Sequence, residues 1–263
     1  MNEPPTSTAI TPGRTVRSLV RISHRGGGVL ATENCVRGIE LALGHGVEMI
    51  EVDVRRSRDG VLVLSHDDIP HGAHASIAGS TLAELRADAP HIATLDEALE
   101  AVRGHARLNL DIKDGAVIQQ MVEAVRAHDM LADCIASCLD IACLARLSAI
   151  EPGLPRFFSY PPDYGGASRK AWMKPVVNSV VAGMRLTMPL RLERMLRAAP
   201  GTNATIYAPL ITRRLVAKAR QLDITLFTWT VDDLAEMRRL SALGIDGITS
   251  NRPDLLAALR PPN

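Results

Sequence analysis

The sequence predicts an α/β fold, a (β/α)8 TIM barrel with a short capping insertion after the second strand. Strand-like and helical segments alternate about eight times, as this fold requires. The chain has 263 residues, 46% of them hydrophobic, which is enough for one large core. We therefore expect a single domain over residues 19–263 after a flexible arm over residues 1–18, with a doubly wound sheet as the alternative architecture.

Nine segments have the apolar alternation of strands, one more than the barrel needs. They are residues 20–24, 47–54, 108–113, 134–139, 155–160, 180–186, 204–208, 225–231 and 247–250. One of them must be misread, and the uncertain part is residues 160–178, where prolines and glycines precede a loosely periodic helix. A further segment, residues 61–64, is predicted to form a hairpin with the second strand through a turn at Asp59 and Gly60.

Helical periodicity follows many of these strands, as a barrel of βα units requires. The predicted helices are residues 34–44, 95–102, 117–127, 213–222 and 233–243. The insertion at about residues 68–92 is rich in Pro, His, Ala and Gly and contains one short helical signal, STLAEL. We expect His71 and His74 in this loop to be solvated rather than to bind a metal.

Composition argues against several classes of partner. Thirty basic and 29 acidic residues leave a net charge of +1, which gives no reason to propose nucleic acid or an anionic membrane. The N-terminus has no continuous apolar stretch, so we expect a cytoplasmic protein without membrane insertion. Four cysteines without zinc-site spacing are predicted to be reduced packing residues: Cys35, Cys134, Cys138 and Cys143. The oligomeric state is left open.

Two acids in the segment EMIEVDV are candidate metal ligands. Glu51 and Asp53 alternate with apolar residues of a buried strand, so both point the same way. Two buried carboxylates repel each other unless a cation compensates them, and Mg²⁺ or Ca²⁺ is the natural partner for oxygen ligands. The alternative is a salt-bridged pair that faces Arg25 or Lys113.

Two histidines follow strands at the positions where barrel enzymes carry their chemistry. His24 ends the first strand and is followed by Arg25 and a run of three glycines, whose backbone can approach an anion closely. His66 ends the hairpin strand. Glu33 and Asn34 open the next helix, where Thr32 or Asn34 could serve only as the helix cap.

Seven motifs occur in a fixed order along the chain: HRG, EN, IEVDV, SHDD, LNLDIKD, FTWTVDD and GIDGITSNRP. Together they resemble the glycerophosphodiester phosphodiesterase family, and the likeness extends from Val20 to Leu259. The resemblance implies a TIM barrel and the metal-dependent hydrolysis of glycerophosphodiesters to glycerol 3-phosphate and an alcohol. The partner would then be a small-molecule substrate.

The resemblance also implies roles for individual residues. His24 and His66 would be the acid and base pair while the glycerol 2-hydroxyl attacks phosphorus, and water would then open the resulting cyclic phosphate. The remaining roles are metal binding by Glu51, Asp53 and Asp111, phosphate binding by Arg25 and Lys113, and substrate binding by Glu33, Asn34 and Trp229. Asn34 would orient Glu33. The ion would be Mg²⁺ or Ca²⁺, with Mn²⁺ as a further candidate.

Some of these roles have alternatives. Lys113 could instead pair with Asp111 or Asp114, and Trp229 could be a core aromatic. Most family members have glutamate in place of Asp111, and the insertion lacks the arginine and threonine that usually follow HDD, which leaves the alcohol unidentified. Two other functions are a lyase that releases the cyclic phosphate and a catalytically silent barrel that binds phosphodiesters. A Schiff-base aldolase would leave the histidines and paired acids unexplained.

Overall fold

The computed structural model describes residues 18–161 and 174–259, and within them eight parallel strands form a closed barrel. The barrel strands are β1 (Val20–Ser23), β2 (Met49–Arg56), β4 (Arg107–Ile112), β5 (Cys134–Cys138), β6 (Arg156–Tyr160), β7 (Thr202–Tyr207), β8 (Leu226–Trp229) and β9 (Gly247–Ser250). The ring closes because β1 pairs with both β2 and β9. The predicted TIM barrel is confirmed, and the doubly wound alternative is wrong.

Helices connect most of these strands, and most begin at a side chain that caps the first turn. They are α1 (Val36–Gly44), α2 (Leu82–Asp88), α3 (Leu95–Val102), α4 (Ile118–Ala127), α5 (Ile141–Ile150), α6 (Lys174–Leu196), α7 (Arg213–Gln221), α8 (Leu234–Ala242) and α9 (Pro253–Ala257). Asp140, Thr212 and Asp233 accept hydrogen bonds from the first-turn amides of α5, α7 and α8. The helices α5 and α9 have no counterpart among the predicted helices. Within the described residues, no helix is both long and apolar enough to cross a bilayer.

The misread strand is residues 180–186, which lie inside α6. Its valines suggest a strand because β-branched residues favour extended structure. In the structure, β6 pairs directly with β7, so the barrel has no place for another strand between them. Val180 and Leu186 are 56% and 77% exposed, whereas a barrel strand would bury its apolar side chains. Residues 162–173, which include much of the uncertain middle, lie outside the described part, as does most of the predicted arm.

The hairpin prediction is confirmed. Strand β3 (Leu62–Leu64) pairs antiparallel with the end of β2, and Gly60 adopts a φ of +86° in the turn. The insertion then packs on β3 through its own small core of Val63, Ile77, Leu85, Ala89 and Ile92. His71 and His74 are exposed, as expected. The insertion is therefore a compact unit attached to the hairpin.

An apolar layer fills the barrel interior near the amino ends of the strands. It consists of Ile22, Met49, Ile135, Phe157 and Phe227, and the two phenylalanine rings stack with their centroids 4.5 Å apart. A second, larger core fills the space between the strands and the surrounding helices. Side chains two residues further along each strand point to the same face. The apolar layer therefore packs beneath the inward-facing side chains at the carboxyl ends of the strands.

Candidate active site

A polar layer lies directly above the apolar layer. Ile22, Met49, Ile135 and Phe227 are each followed two residues later by a polar side chain on the same face. These side chains are those of His24, Glu51, Ser137 and Trp229, and Asp53 lies two residues beyond Glu51. The predicted site residues thus converge at the carboxyl end of the barrel, where βα loops surround them.

Three carboxylates form the centre of this layer. Glu51, Asp53 and Asp111 are 6%, 0% and 9% exposed, and each offers an oxygen within 4.8 Å of the others. Asp53 and Asp111 are brought together because β2 and β4 place them opposite each other in register. The structure thus assembles the three acids that the sequence analysis assigns to a metal.

Lys113 lies against two of these acids. Its Nζ is 2.5 Å from Asp111 Oδ2 and 2.7 Å from Asp53 Oδ1. The ion pair with Asp111 that the sequence left open as an alternative is therefore present. Asp114 instead accepts a hydrogen bond from the Ala116 amide. Burial alone would lower the pKa of Lys113, but Asp111, Asp53 and Glu51 together raise it, so the amine is an ammonium.

Neighbouring charges give the two acids of β2 different pKa values. Burial raises the pKa of Glu51 well above its usual range, and Asp53 and Asp111 raise it further. Burial also acts to raise the pKa of Asp53, but Lys113, His66 and Arg25 outweigh it and hold that pKa at about 2. Asp53 is therefore ionised, whereas the site disfavours a charge on Glu51 unless a further cation compensates it.

This set of residues fits a divalent cation. Carboxylate and amide oxygens are the ligands that Mg²⁺ and Ca²⁺ prefer. Asn109 lies opposite Glu51 in the register of β2 and β4, and its Oδ1 is buried without a hydrogen-bond partner in the described residues. A buried oxygen without a donor is costly unless a ligand satisfies it. The acids and Asn109 together could therefore hold such an ion.

Arg25 lies beside the acids in a left-handed backbone conformation with a φ of +51°. Its amide donates a 2.7 Å hydrogen bond to Glu51 Oε2, and its guanidinium donates one of 2.6 Å to Glu33 Oε2. Arg25 Nε lies 3.8 Å from Asp53 Oδ2. Arg25 therefore joins Glu33 at the rim to the buried carboxylates.

Asn34 corrects two expectations. Its side chain donates to Asp53 Oδ2 at 2.7 Å and accepts from the Asp53 amide at 3.0 Å. It therefore positions Asp53, and the expectation that it orients Glu33 is wrong. Helix α1 begins at Val36 with Cys35 as its cap, so neither Thr32 nor Asn34 caps it.

All four cysteines are buried and free, as expected.

His24 is held by a residue from the far end of the chain. Its Nδ1 is 2.7 Å from Asn251 Oδ1, and its Nε2 is 3.9 Å from Glu51 Oε2. Asp232 fixes Asn251 by accepting hydrogen bonds from its backbone N–H and from its side-chain Nδ2, both at 2.8 Å. Because an amide oxygen only accepts, His24 carries its proton on Nδ1 and leaves Nε2 free. Burial lowers the pKa of His24, and Arg25 lowers it further.

His66 has a different partner. Its Nδ1 lies 2.8 Å from Asp67 Oδ1, and Arg55 Nη2 donates to the His66 carbonyl at 2.8 Å. Burial and Lys113 lower the pKa of His66, while Asp53 and Asp67 oppose this shift. Asp53 and Lys113 influence both His24 and His66, so the two imidazoles lie around the same charged centre.

Trp229 lies above the apolar layer and is partly exposed. Its ring centroid is 5.9 Å from that of Tyr207. Its Nε1 is buried and has no hydrogen-bond partner in the described residues. Phe227, two residues earlier, belongs to the apolar layer. Phe227, rather than Trp229, is therefore the core aromatic of this strand. Trp229 keeps an indole N–H without an acceptor in the described residues.

Comparisons with known proteins identify the family. The family model described as "Glycerophosphoryl diester phosphodiesterase family" matches residues 24–255. The chain belongs to this family. The resemblance read from the motifs is thereby confirmed, and the protein is an enzyme of the phosphoric diester hydrolase class.

Relatives of this phosphodiesterase-family chain carry consistent names. It is 26% identical to the glycerophosphodiester phosphodiesterase GDPD4 of Arabidopsis thaliana, over 90% of this chain and 72% of that protein. It is also 26% identical to a glycerophosphodiester phosphodiesterase of Caldanaerobacter subterraneus, over 90% and 96% of the two chains.

Solved structures of the family share the fold. The glycerophosphodiester phosphodiesterase of Thermotoga maritima superposes with a TM-score of 0.72 at 22% identity, over 93% of this chain and 99% of that one. An Oleispira antarctica phosphodiesterase, solved with the product sn-glycerol-3-phosphate, gives a TM-score of 0.70 at 22% identity, over 91% and 95% of the two chains.

Four residues of the site in this phosphodiesterase-family chain were not predicted from the sequence, and one of them is Asn109, which lies opposite Glu51. Ser137 donates to Asp111 Oδ1 at 2.6 Å, and Asn251 and Asp232 hold His24. Ser137 is detectable from its position two residues after Ile135, because a buried hydroxyl on an inward face needs a partner. No comparable signal marks the link between Asn251 and His24, since only barrel closure brings them together.

Proposed function

We propose that the protein hydrolyses glycerophosphodiesters to glycerol 3-phosphate and an alcohol in a metal-dependent reaction. The supporting observation is that two histidines, two cationic side chains and three buried carboxylates converge at one end of the barrel. Cleavage of a phosphodiester needs charge neutralisation, a base and an acid, and this set supplies each of them.

Glu51, Asp53 and Asp111 would hold the ion, Mg²⁺ or Ca²⁺, with Mn²⁺ as a further candidate. When bound, the ion would neutralise negative charge on the phosphodiester as it is attacked. Its positive charge would also pair with Asp53 and Asp111, which pair with Lys113 in this structure. Lys113 and Arg25 would then bind the nonbridging phosphate oxygens, Arg25 as a planar fork and Lys113 as a compact charge.

The hydrogen-bond partners of the histidines support distinct roles. Asn251 is neutral and leaves His24 Nε2 unprotonated, so His24 suits the base that takes the proton of the glycerol 2-hydroxyl. Asp67 is a carboxylate and favours a protonated His66, which suits the acid. The 2-hydroxyl oxygen bonds to phosphorus, the bond from phosphorus to the alcohol oxygen breaks, and His66 gives that oxygen its proton. Water then opens the cyclic phosphate.

The remaining predicted residues would bind the glycerol moiety. Glu33 lies at the rim beside Arg25 and would accept a hydrogen bond from a glycerol hydroxyl. Trp229 would pack against the glycerol carbons, and its free Nε1 would donate to an oxygen of the substrate. Asn34 would contribute by holding Asp53 rather than by contacting substrate. We further propose a cytoplasmic location, which the four free thiols support.

Assays with a panel of glycerophosphodiesters test this function. We expect turnover with at least one of Mg²⁺, Ca²⁺ and Mn²⁺ and its loss in excess chelator. Phosphorus NMR would detect glycerol 3-phosphate as the final product. Accumulation of a cyclic phosphate without further reaction would identify the lyase alternative. A metal-loaded protein that binds the diesters without turnover would identify a silent barrel, and full activity in a metal-free sample would remove the metal assignment.

A further inference from the structure

The two sides of the polar layer differ in charge. The strands β1, β2 and β4, with the residues that follow them, contribute the charged groups described above. On the other side, the inward-facing residues near the carboxyl ends of β6, β7 and β8 are uncharged, and they are Ser159, Thr205, Tyr207 and Trp229. A glycerophosphodiester has the same division, with a charged phosphate and a neutral polyol. The uncharged side of the barrel therefore suits the glycerol moiety.

Strand register shows which side chains of β7 point inward. Thr205 lies beside Phe227, a member of the apolar layer, and Tyr207 lies beside Trp229. Ile206, which stands between them in the chain, belongs to the larger core outside the strands. Since side chains alternate along a strand, Tyr207 points into the mouth of the barrel next to Trp229.

The rings of Tyr207 and Trp229 form a corner at this mouth. Their centroids are 5.9 Å apart and their planes are inclined by 54°, so the rings adjoin without stacking. Both side chains are partly exposed, and Tyr207 also packs against the larger core, which holds its ring in place. Trp229 Nε1 is buried without a hydrogen-bond partner in the described residues. Because a buried indole N–H normally has an acceptor, we expect a bound molecule to supply one beside Tyr207.

The two histidines indicate that this corner lies on the glycerol side of the site. Strand β1 lies between β9 and β2. The residues that hold His24 are Asn251, which follows β9, and Asp232, which follows β8. His66 instead follows β3, which pairs with β2. In the proposed function, His24 takes the proton of the glycerol 2-hydroxyl and His66 protonates the alcohol, so the glycerol moiety would extend from His24 toward β8 and β7.

We propose that Tyr207 determines specificity for the free primary hydroxyl of the glycerol moiety, an inference that rests on the proposed function. This hydroxyl would accept a hydrogen bond from Trp229 Nε1 and donate its proton to the Tyr207 hydroxyl oxygen. An ester or ether oxygen can accept but has no proton to donate, and a methyl group can do neither. The corner would therefore distinguish a free glycerol end from one that is acylated or lacks the oxygen.

Two phosphate monoesters test the proposal without depending on catalysis. Glycerol 3-phosphate has the primary hydroxyl, whereas 1,2-propanediol 1-phosphate of matching configuration has a methyl group in its place and keeps the 2-hydroxyl. Isothermal titration with Mg²⁺ or Ca²⁺ present should show that the wild-type protein binds glycerol 3-phosphate more tightly. Tyr207→Phe should weaken that binding on the order of tenfold and leave the binding of 1,2-propanediol 1-phosphate unchanged, because only the hydroxyl contact is lost.

Tyr160→Phe is the matched control. Tyr160 ends the neighbouring strand β6, and its ring lies 6.0 Å from that of Phe158 and packs against the larger core. The substitution thus removes the same hydroxyl group on the outer face of the barrel. The ratio of the two affinities should equal that of the wild type. Far-UV circular dichroism should be unchanged in both variants, since each keeps its aromatic ring.

Turnover gives a second measurement. Tyr207→Phe should lower kcat/KM for glycerophosphocholine on the order of tenfold and leave kcat/KM for its 1,2-propanediol analogue unchanged. A substitution that only disturbed the fold or the catalytic groups would lower both values together. The comparison of the two diesters therefore separates recognition of the hydroxyl from a structural effect.

Two results would overturn the proposal. One is a wild-type protein that fails to bind glycerol 3-phosphate more tightly than 1,2-propanediol 1-phosphate, including one that binds neither. The other is a Tyr207→Phe protein that keeps the wild-type ratio of affinities. A protein that discriminates the two phosphates through Tyr207 but turns over no diester would contradict only the proposed function.

Discussion

At the scale of single residues, the polar layer shows how neighbours set the charge of identical groups. Glu51 and Asp53 lie two residues apart on one strand and are both buried. Burial and the neighbouring acids raise the pKa of Glu51, whereas Lys113, His66 and Arg25 outweigh burial at Asp53 and hold its pKa at about 2. Asp53 is thus the carboxylate that stays ionised under all ordinary conditions. Its substitution is therefore the most direct test of the metal site.

Asp53→Asn should keep the shape of the side chain and remove its charge. We expect activity to fall by about 10²–10⁴, because the charge that would hold the cation is lost. Isothermal titration with Mg²⁺, Ca²⁺ and Mn²⁺ should show correspondingly weaker binding. Asp223→Asn is the control, since Asp223 is exposed and asparagine tolerates its left-handed φ of +52°. Metal binding equal to that of the wild type would exclude Asp53 as a ligand.

Asn251→Leu should remove the acceptor that fixes His24 while leaving the catalytic groups in place. We expect kcat to fall about 10- to 100-fold, since partners that orient a functional imidazole typically contribute this much. Asn251→Asp keeps an acceptor and should retain more activity. Its carboxylate should also raise the pKa of His24, which histidine NMR would detect. Equal rates in the two variants would argue against this orienting role.

The pKa of His66 yields a pH prediction. Burial and Lys113 lower it below 6.5, so the imidazole loses its proton on the acid side of neutrality. If His66 is the acid, activity should decline as pH rises through this pKa. Asp67→Asn removes an interaction that raises the pKa, so the alkaline limb should move to lower pH. NMR titration of His66 should shift in the same direction, and an unchanged titration would show that Asp67 does not act on it.

At the scale of elements, the loop after β1 passes very close to the backbone of Asn251. Arg25, Gly26 and Gly28 all have positive φ values of 51°, 79° and 57°. A Cβ on Gly28 would lie 2.2 Å from the Asn251 carbonyl oxygen, which leaves no room for any side chain. The loop therefore packs directly on the residue that holds His24, and its glycines serve geometry as well as flexibility.

Gly28→Ala should therefore disturb His24 through Asn251. We expect lower thermal stability, by on the order of 1–3 kcal/mol, together with a loss of kcat. Gly44→Ala is the matched control, since a Cβ at Gly44 meets nothing within 4 Å. Gly44 is helical, so the control should be stabilised by about 0.5 kcal/mol with activity unchanged. Differential scanning calorimetry and steady-state kinetics would measure both, and a fully active, stable Gly28→Ala protein would contradict the close packing.

At the scale of the whole molecule, the insertion is a separate unit. Its small core of Val63, Ile77, Leu85, Ala89 and Ile92 is distinct from the barrel core. It follows His66 in the chain and connects to the polar layer through the hairpin. Changes in the insertion should therefore affect which alcohol is accepted and leave the barrel chemistry intact.

Grafting a longer family-type insertion between Asp67 and Ile92 should test this separation. We expect the ratios of kcat/KM among choline, ethanolamine and bulkier esters to change, because the graft alters contacts with the leaving alcohol. Metal dependence and the phosphate product should stay the same. Unaltered ratios in a well-folded graft would place specificity elsewhere, with Trp229 as the next residue to test. The loop of residues 160–166 is a further candidate and lies mostly outside the described residues.

The sequence by itself determined the barrel, the hairpin and most candidate groups, because periodicity and motif order are local signals. It could not identify residues 180–186 as part of a helix, since β-branched residues also occur on helix surfaces. Only tertiary structure linked Asn34 to Asp53, Ser137 to Asp111 and Asn251 to His24. These partners are 19 to 227 residues apart in the chain, so their contacts exist only once the barrel has closed.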